Sequence, residues 1–245
     1  MADIIAGRNP VIEALKAGRP INKIVLARNI GLHSVVAAIL NLAKSKGIPV
    51  EYLERQFIDQ LSETASHQGV IAYAAVKEFV TLEDLLAISR EKGELPLYCI
   101  LDGIEDPQNL GAIIRTAEAS GTHGVIVRTR RAVGLTATVA KASAGAVEYV
   151  PVARVANISQ AIVTLQRNDV WVVGIERTGK IPYNQVDFKL ATAMVIGGED
   201  KGLSDLVKKR CDSLVFIPML GRITSLNAST AAALVMYEAC QQRHR

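Results

Sequence analysis

Short continuous apolar runs alternate along this chain with stretches whose apolar residues recur at helical spacing. In the first part, Asn9-Pro10 supplies a cap and a proline for the first helical position, and Gly18 closes the helix they open. Ile24-Val25-Leu26 reads as a short buried strand. Leu32, Val35, Val36, Ile39, Leu40 and Ala43 follow helical spacing, and Gly47 ends that helix. Pro49 to Leu53 predicts a second strand, Phe57 to Leu61 a short helix, and Val70 to Val76 a third strand. Residues 1–78 are therefore expected to form a compact α/β unit near the lower limit of domain size.

Thr81 with Asp84 has the capping-box pattern for a helix from Leu82 to Lys92, stopped by Gly93. Residues 79–95 read as a structured connector, because they lack the Gly/Ser richness of a flexible linker. Beyond Pro96, strands are predicted at Leu97 to Leu101, Val125 to Arg128, Val170 to Gly174, Ala193 to Gly197 and Leu214 to Ile217. Helices are predicted at Leu110 to Ser120, Ile158 to Arg167, Ser204 to Arg210 and Ser229 to Gln242. Continuous apolar strands between helices imply a parallel α/β sheet over residues 96–245, with ligands beyond the carboxyl ends of its strands.

Composition narrows the function classes. The chain has 245 residues, 49% hydrophobic and 21% charged, which excludes wholesale disorder, collagen and a coiled coil. The charge-free stretches Asn29 to Ala43 and Ile223 to Tyr237 are too short for a membrane span. No basic-then-apolar signal pattern opens the chain, so a cytoplasmic protein without a membrane partner is expected. Cys99, Cys211 and Cys240 are far apart, and the four histidines lack paired spacing, so no disulfide framework and no metal are expected. The net charge of +4 favours a polyanionic partner, with local clusters at Arg128, Arg130 and Arg131, at Lys208 to Arg210, and at the tail. Aromatics are only 4%, which disfavours a base-stacking platform of the RRM kind.

No GxGxxG, GxxxxGK[ST] or GxSxG pattern is present, so dinucleotide-binding, phosphate-loop and nucleophile-elbow fingerprints are missing. Glycine and polar residues concentrate at three predicted strand ends: DGIEDPQNLGAIIRTAEASG (102–121), GGEDKGL (197–203) and GRITSLNAS (221–229). Each has a plain structural reading. Asn109 would cap a helix on which Arg115 pairs with Glu118, the second stretch would be a tight turn, and Asn227 or Ser229 would be a cap.

Together and in order, NLGAIIRTAEASG, VIGGEDKGL and IPMLGRITSLNAS resemble the three motifs of the SpoU/TrmH family of RNA ribose 2'-O-methyltransferases, in the SPOUT superfamily. The stretch ASAGAVEYVPVARVANI (142–158) is similar to that family's linking segment, and residues 1–78 resemble the ribosomal-protein-like domain that many members carry for gripping RNA. The resemblance implies an α/β trefoil-knotted methyltransferase domain over 96–245, S-adenosyl-L-methionine as cofactor, and a homodimer. It implies cofactor contacts from Gly197, Gly198, Glu199, Gly202, Ile217, Met219, Ser225 and Leu226, and catalytic-site roles for Asn109, Arg115, Glu199, Ser225 and Asn227. Arg115 is the essential residue by analogy. Because a guanidinium normally stays charged, holding a phosphate or a developing alkoxide is its plainer physical role than acting as base. Glu199 is left between pairing with an arginine and anchoring its loop. Ala228 and Thr230 are smaller than the valines many members carry there.

The resemblance favours a guanosine of large-subunit (23S) ribosomal RNA as substrate. Transfer RNA, or a resistance-type ribosomal site, is the alternative, and a non-enzymatic RNA-binding module or a small-molecule enzyme are the competing classes. Basic residues Arg8, Arg19, Lys23 and Arg28 of the front part are expected to grip RNA phosphates.

Overall fold

The computed structural model describes residues 2–62, 67–129, 134–199 and 201–244. Arg130, Arg131, Asp200 and Arg245 of the clusters and motifs named above lie outside the described residues. The chain divides into two compact units, one of residues 1–78 with 134–149, the other of residues 79–133 with 150–245. Elements are numbered in chain order.

The first unit carries β1 (Ala2–Ala6), α1 (Arg8–Lys16), β2 (Ile21–Ala27), α2 (Ser34–Ser45), β3 (Val50–Leu53), α3 (Arg55–Leu61) and β4 (Val70–Ala75). Its sheet order is β1-β4-β2-β3, with β4 antiparallel to both neighbours and β2 parallel to β3. Val11, Leu15, Val36 and Ile39 bury one helical layer against Ile5, Ile24 and Leu26 of the sheet. Ile58 of α3 packs with Ala6, Val25, Ala27 and Ile71 in a second cluster.

Three expectations are corrected here. The first helix begins at Arg8, with Gly7 at its cap and no side-chain cap, so Asn9 lies inside it. Gly7 adopts φ +109, which a side chain would resist. Leu32 is 78% exposed and precedes α2, because the helix starts only at Ser34. Arg19 does not face solvent as an RNA contact. Its guanidinium bonds Glu148 at 2.7 Å, Asp3 at 2.8 Å and the Ala75 carbonyl at 2.8 Å, with its side chain 6% exposed. Glu148 belongs to the returning segment 134–149, which carries α6 (Ala137–Ala142) and a short 3₁₀ turn.

The second unit carries α4 (Leu82–Glu91), β5 (Leu97–Asp102), α5 (Pro107–Ala119), β6 (Gly124–Arg128), β7 (Val152–Val155), α7 (Ile158–Gln166), β8 (Trp171–Ile175), β9 (Ile181–Pro182), β10 (Thr192–Gly197), α8 (Asp205–Arg210), β11 (Ser213–Phe216) and α9 (Ala228–Arg243). Thr81 and Asp84 form the expected capping box of α4. The sheet order is β7-β6-β5-β10-β8-β11-β9, and every pairing is parallel. The late strand β10 thus lies between β5 and β8, which brings the loops after β5, β8, β10 and β11 to one edge. Tyr98, Ile100, Val172, Ala193 and Val195 bury one sheet face against Leu85 of α4 and Ile162 and Leu165 of α7. The Arg243 guanidinium donates to the carbonyls of Leu95, Pro96, Phe188 and Leu190, which fixes the end of α9 beside the starts of β5 and β10.

Candidate active site

The site is assembled from loop ends of the second unit. After β5 the chain turns through Gly103, and Asp106 caps α5 by accepting from the Gln108 and Asn109 N–H groups, with Pro107 in the first helical turn. This corrects the expectation that Asn109 is the cap. Because Asp106 satisfies the helix end, the Asn109 side chain is free to bond elsewhere. Asn227 does cap α9, its Oδ1 accepting from the N–H groups of Ser229 and Thr230.

These two amides meet one carboxylate. Asn109 Nδ2 donates to Glu199 Oε1 at 3.0 Å, and Asn227 Nδ2 donates both to Asn109 Oδ1 at 2.9 Å and to Glu199 Oε1. The Ala228 N–H lies 3.4 Å from the same oxygen. Glu199 therefore ties the loop after β10 to the starts of α5 and α9, and no arginine among the described residues pairs with it. One side chain from each of the three motif stretches enters this cluster.

The loops also fit backbone against backbone. Gly198 N donates to the Asp102 carbonyl at 3.0 Å, and the Asp102 carboxylate accepts from Ser204 N at 2.8 Å. A Cβ on Gly197 would lie 2.3 Å from the Gly202 carbonyl carbon, and one on Gly198 would lie 2.7 Å from the Gly103 carbonyl oxygen. Glycine is needed here for loop-on-loop packing, a reason separate from close approach to a ligand.

Two cavities share the turn 198–202. The smaller, about 440 Å³, is lined by Gly197, Gly198, Glu199, Gly202, Ile217, Met219, Ser225 and Leu226, and also by Glu176 and Ala231. Its volume lies in the range of small-molecule sites. The larger, about 840 Å³, opens between the ends of β5, β6 and β10 and is lined by Asn109, Arg128, Lys201 and Lys208 among others. Among the described residues, the main chain of 217–226 makes no backbone–backbone hydrogen bond.

Arg115 stands apart. It lies six residues beyond Asn109 on α5, about 240° round the helix at 3.6 residues per turn. It is exposed, lines neither cavity and has no ion pair with Glu118 or any other described residue. The remaining candidates offer little chemistry. Burial pushes the Cys211 thiol up to about 12 and raises that of Cys99 as well, so neither supplies a thiolate. Among the described residues no group of three or more His, Cys, Asp or Glu side chains is placed to hold a metal ion. The side chain that sequence reasoning missed is Glu176, which follows a strand without any motif around it.

Two families match this chain. The SpoU rRNA Methylase family matches residues 96–237, and the family described as RNA 2'-O ribose methyltransferase substrate binding matches residues 4–80. YacO of Bacillus subtilis, whose name places it among TrmH family tRNA/rRNA methyltransferases, is 45% identical over 242 residues, covering 99% of this chain and 96% of its own. The AdoMet-bound rRNA methyltransferase from Sinorhizobium meliloti superposes with a TM-score of 0.79 at 26% identity, covering 98% of this chain and 87% of that one. The A. aeolicus TrmH/SpoU tRNA modifying enzyme, also 26% identical, reaches a TM-score of 0.56 and covers 66% of this chain and 84% of its own.

Proposed function

Because the chain belongs to the SpoU rRNA methylase family, we propose that it methylates a ribose 2'-hydroxyl, that of a guanosine in large-subunit (23S) ribosomal RNA, using S-adenosylmethionine. The observation that carries this reading is the meeting of Asn109, Glu199 and Asn227 in one hydrogen-bonded cluster beside a cavity lined by all eight residues expected to touch the cofactor.

The residues fit that cofactor. Ile217, Met219 and Leu226 would give apolar contact for an adenine ring, and main-chain groups of 217–226, which make no backbone–backbone hydrogen bond among the described residues, would read its edge without side chains. When bound, the cofactor supplies a methyl group on an electrophilic sulfonium. The chain's own task is to orient the ribose and to manage the proton and charge of its hydroxyl. Asn109 and Asn227 hold the Glu199 loop, and through it the wall between the two cavities. Arg115 stabilises the developing alkoxide as a fixed cation.

Arg115 points to assembly as a homodimer. It lines neither of the two cavities described above, and a site completed by a second copy would bring it to the reacting ribose. Apolar side chains on the same unit support this. Leu220 is 100% exposed and Ile223 72%, and Leu234 and Tyr237 of α9 are also exposed. The β10 insertion between β5 and β8 is consistent with the trefoil-knotted arrangement that the resemblance implies.

Ribosomal RNA is favoured over transfer RNA by coverage. The rRNA methyltransferase relative spans 98% of this chain, whereas the tRNA modifying relative spans 66%, and the front unit matches a substrate-binding family. A cytoplasmic location follows from that substrate. Labelled methyl transfer in chelator to purified ribosomal RNA and to transfer RNA tests the reading. Alkali-stable label in ribosomal RNA is expected, and label confined to transfer RNA would replace the substrate named here.

A further inference from the structure

Glu176 follows β8 at its carboxyl end, with its side chain 12% exposed on the wall of the 440 Å³ cavity. Its Oε2 accepts from Lys208 Nζ at 3.0 Å and from the Leu203 N–H at 3.3 Å. Its Oε1 accepts only from the adjacent Arg177 N–H, at 3.1 Å, among the described residues. An ionised carboxylate offers about four acceptor positions, so Oε1 keeps one unfilled. Gly202 closes over the other oxygen at φ +61, where an added Cβ would lie 3.0 Å from Oε2. The second-motif loop and α8 thus hold the carboxylate through Oε2, and Glu176 lines the cavity with an acceptor position of Oε1 unfilled among the described residues.

The charge of Glu176 is already answered by an ammonium and two N–H dipoles. What it offers the cavity is a fixed acceptor more than a net attraction for a cation. Acidic side chains at strand ends of parallel α/β sheets bind nucleotide ribose hydroxyls in this way.

We infer that Glu176 is a cofactor-binding residue, its Oε1 accepting a hydrogen bond from a ribose hydroxyl of the cofactor's nucleoside. The inference rests on the assignment of S-adenosylmethionine to this cavity. Lys208 then acts as a positioning residue that holds the carboxylate in place.

The test titrates wild type, Glu176→Gln and Glu176→Asp with S-adenosylmethionine and S-adenosylhomocysteine. Adenosine, 2'-deoxyadenosine and 3'-deoxyadenosine are then compared as competitors, with thermal melts to establish folding. Glu176→Gln is expected to weaken both full ligands by a similar factor, on the order of tenfold, as for loss of a charge-assisted hydrogen bond. Wild type is expected to prefer adenosine over at least one deoxy analogue, and the variant to lose that preference. Loss for S-adenosylmethionine alone would instead assign Glu176 to the sulfonium and overturn the inference. So would a ribose preference retained by the variant or absent from wild type. Wild type that binds no S-adenosylmethionine would remove the cofactor assignment itself, a distinct result. Should the glutamine variant fail to fold, the wild-type preference and the aspartate variant decide the matter.

Discussion

Arg19 and Glu148, 129 residues apart in the chain, form an ion pair at 2.7 Å with their side chains 6% and 2% exposed. Segment 134–149 is thereby part of the front unit, although it lies between β6 and β7 in the sequence. Tyr149 Oη adds a bond to Glu13 Oε2 at 2.6 Å, and a Cβ on Gly145 would lie 2.7 Å from the Glu13 Cβ. Removing one partner of a buried pair leaves an uncompensated charge. Glu148→Ala is expected to cost about 3 kcal/mol, the low end for such pairs because Asp3 still holds Arg19. Thermal or denaturant unfolding measures it, and an unchanged melt would contradict the account. A fragment of residues 1–78 alone, lacking Glu148, is expected to be less stable than one carrying 134–149 as well.

The double role of Asn227 can be split. Its Oδ1 caps α9, while its Nδ2 serves Asn109 and Glu199. Asn227→Asp keeps the cap but loses both donors and sets a second carboxylate beside Glu199. Global stability should fall by no more than about 1–2 kcal/mol, against a much larger fall in methyl transfer. Equal losses in both, or activity near wild type, would mean the cluster only braces the loops.

Arg115→Ala is expected to lower turnover on the order of 10²–10⁴-fold with cofactor affinity held within a few-fold, because Arg115 lies on α5 and away from the cofactor cavity. Arg115→Lys should rescue little, since a point ammonium does not reproduce a planar fork. A mixed dimer of Arg115→Ala with Asn227→Asp should regain part of the activity at one of its two sites. No regain would argue against a site completed by the second copy.

His123 sets a pH limit on stability. Its Nδ1 accepts the Leu97 N–H at 3.1 Å and its Nε2 faces Glu94 at 3.0 Å, an arrangement suited to the neutral ring. Burial outweighs the nearby Glu94 and holds the imidazole below its ordinary 6.5. The unfolded chain therefore binds the proton first, and stability should fall as pH drops below about 6.5. Melting temperatures at pH 7.5 and 5.5 check this, and His123→Gln should flatten the dependence. An equal slope in wild type and variant would assign the effect elsewhere.

The parallel sheet was legible because its strands are unbroken apolar runs, as Val170 to Gly174 and Ala193 to Gly197 illustrate. β7 and β9 were not, since Val152–Val155 has a charged residue within it and Ile181–Pro182 pairs over only two residues. The cap of α5 is not legible because Asp106 and Asn109 are both good caps, and only the fold shows Asp106 closing the helix end while the Asn109 side chain bonds Glu199. Arg19 resembled a surface cation, and its burial depends on Glu148, far away in the chain. Glu176 carries no local signal at all, since its role comes from Lys208 and the 202–203 turn closing over it.

Methylation of ribosomal RNA at a ribose oxygen is decided by mass mapping of 23S ribosomal RNA nucleosides from cells with and without this protein. One guanosine is expected to carry a 2'-O-methyl group only when the protein is present, restored by the wild-type chain and not by Arg115→Ala. Identical ribosomal RNA maps in the two strains would contradict it.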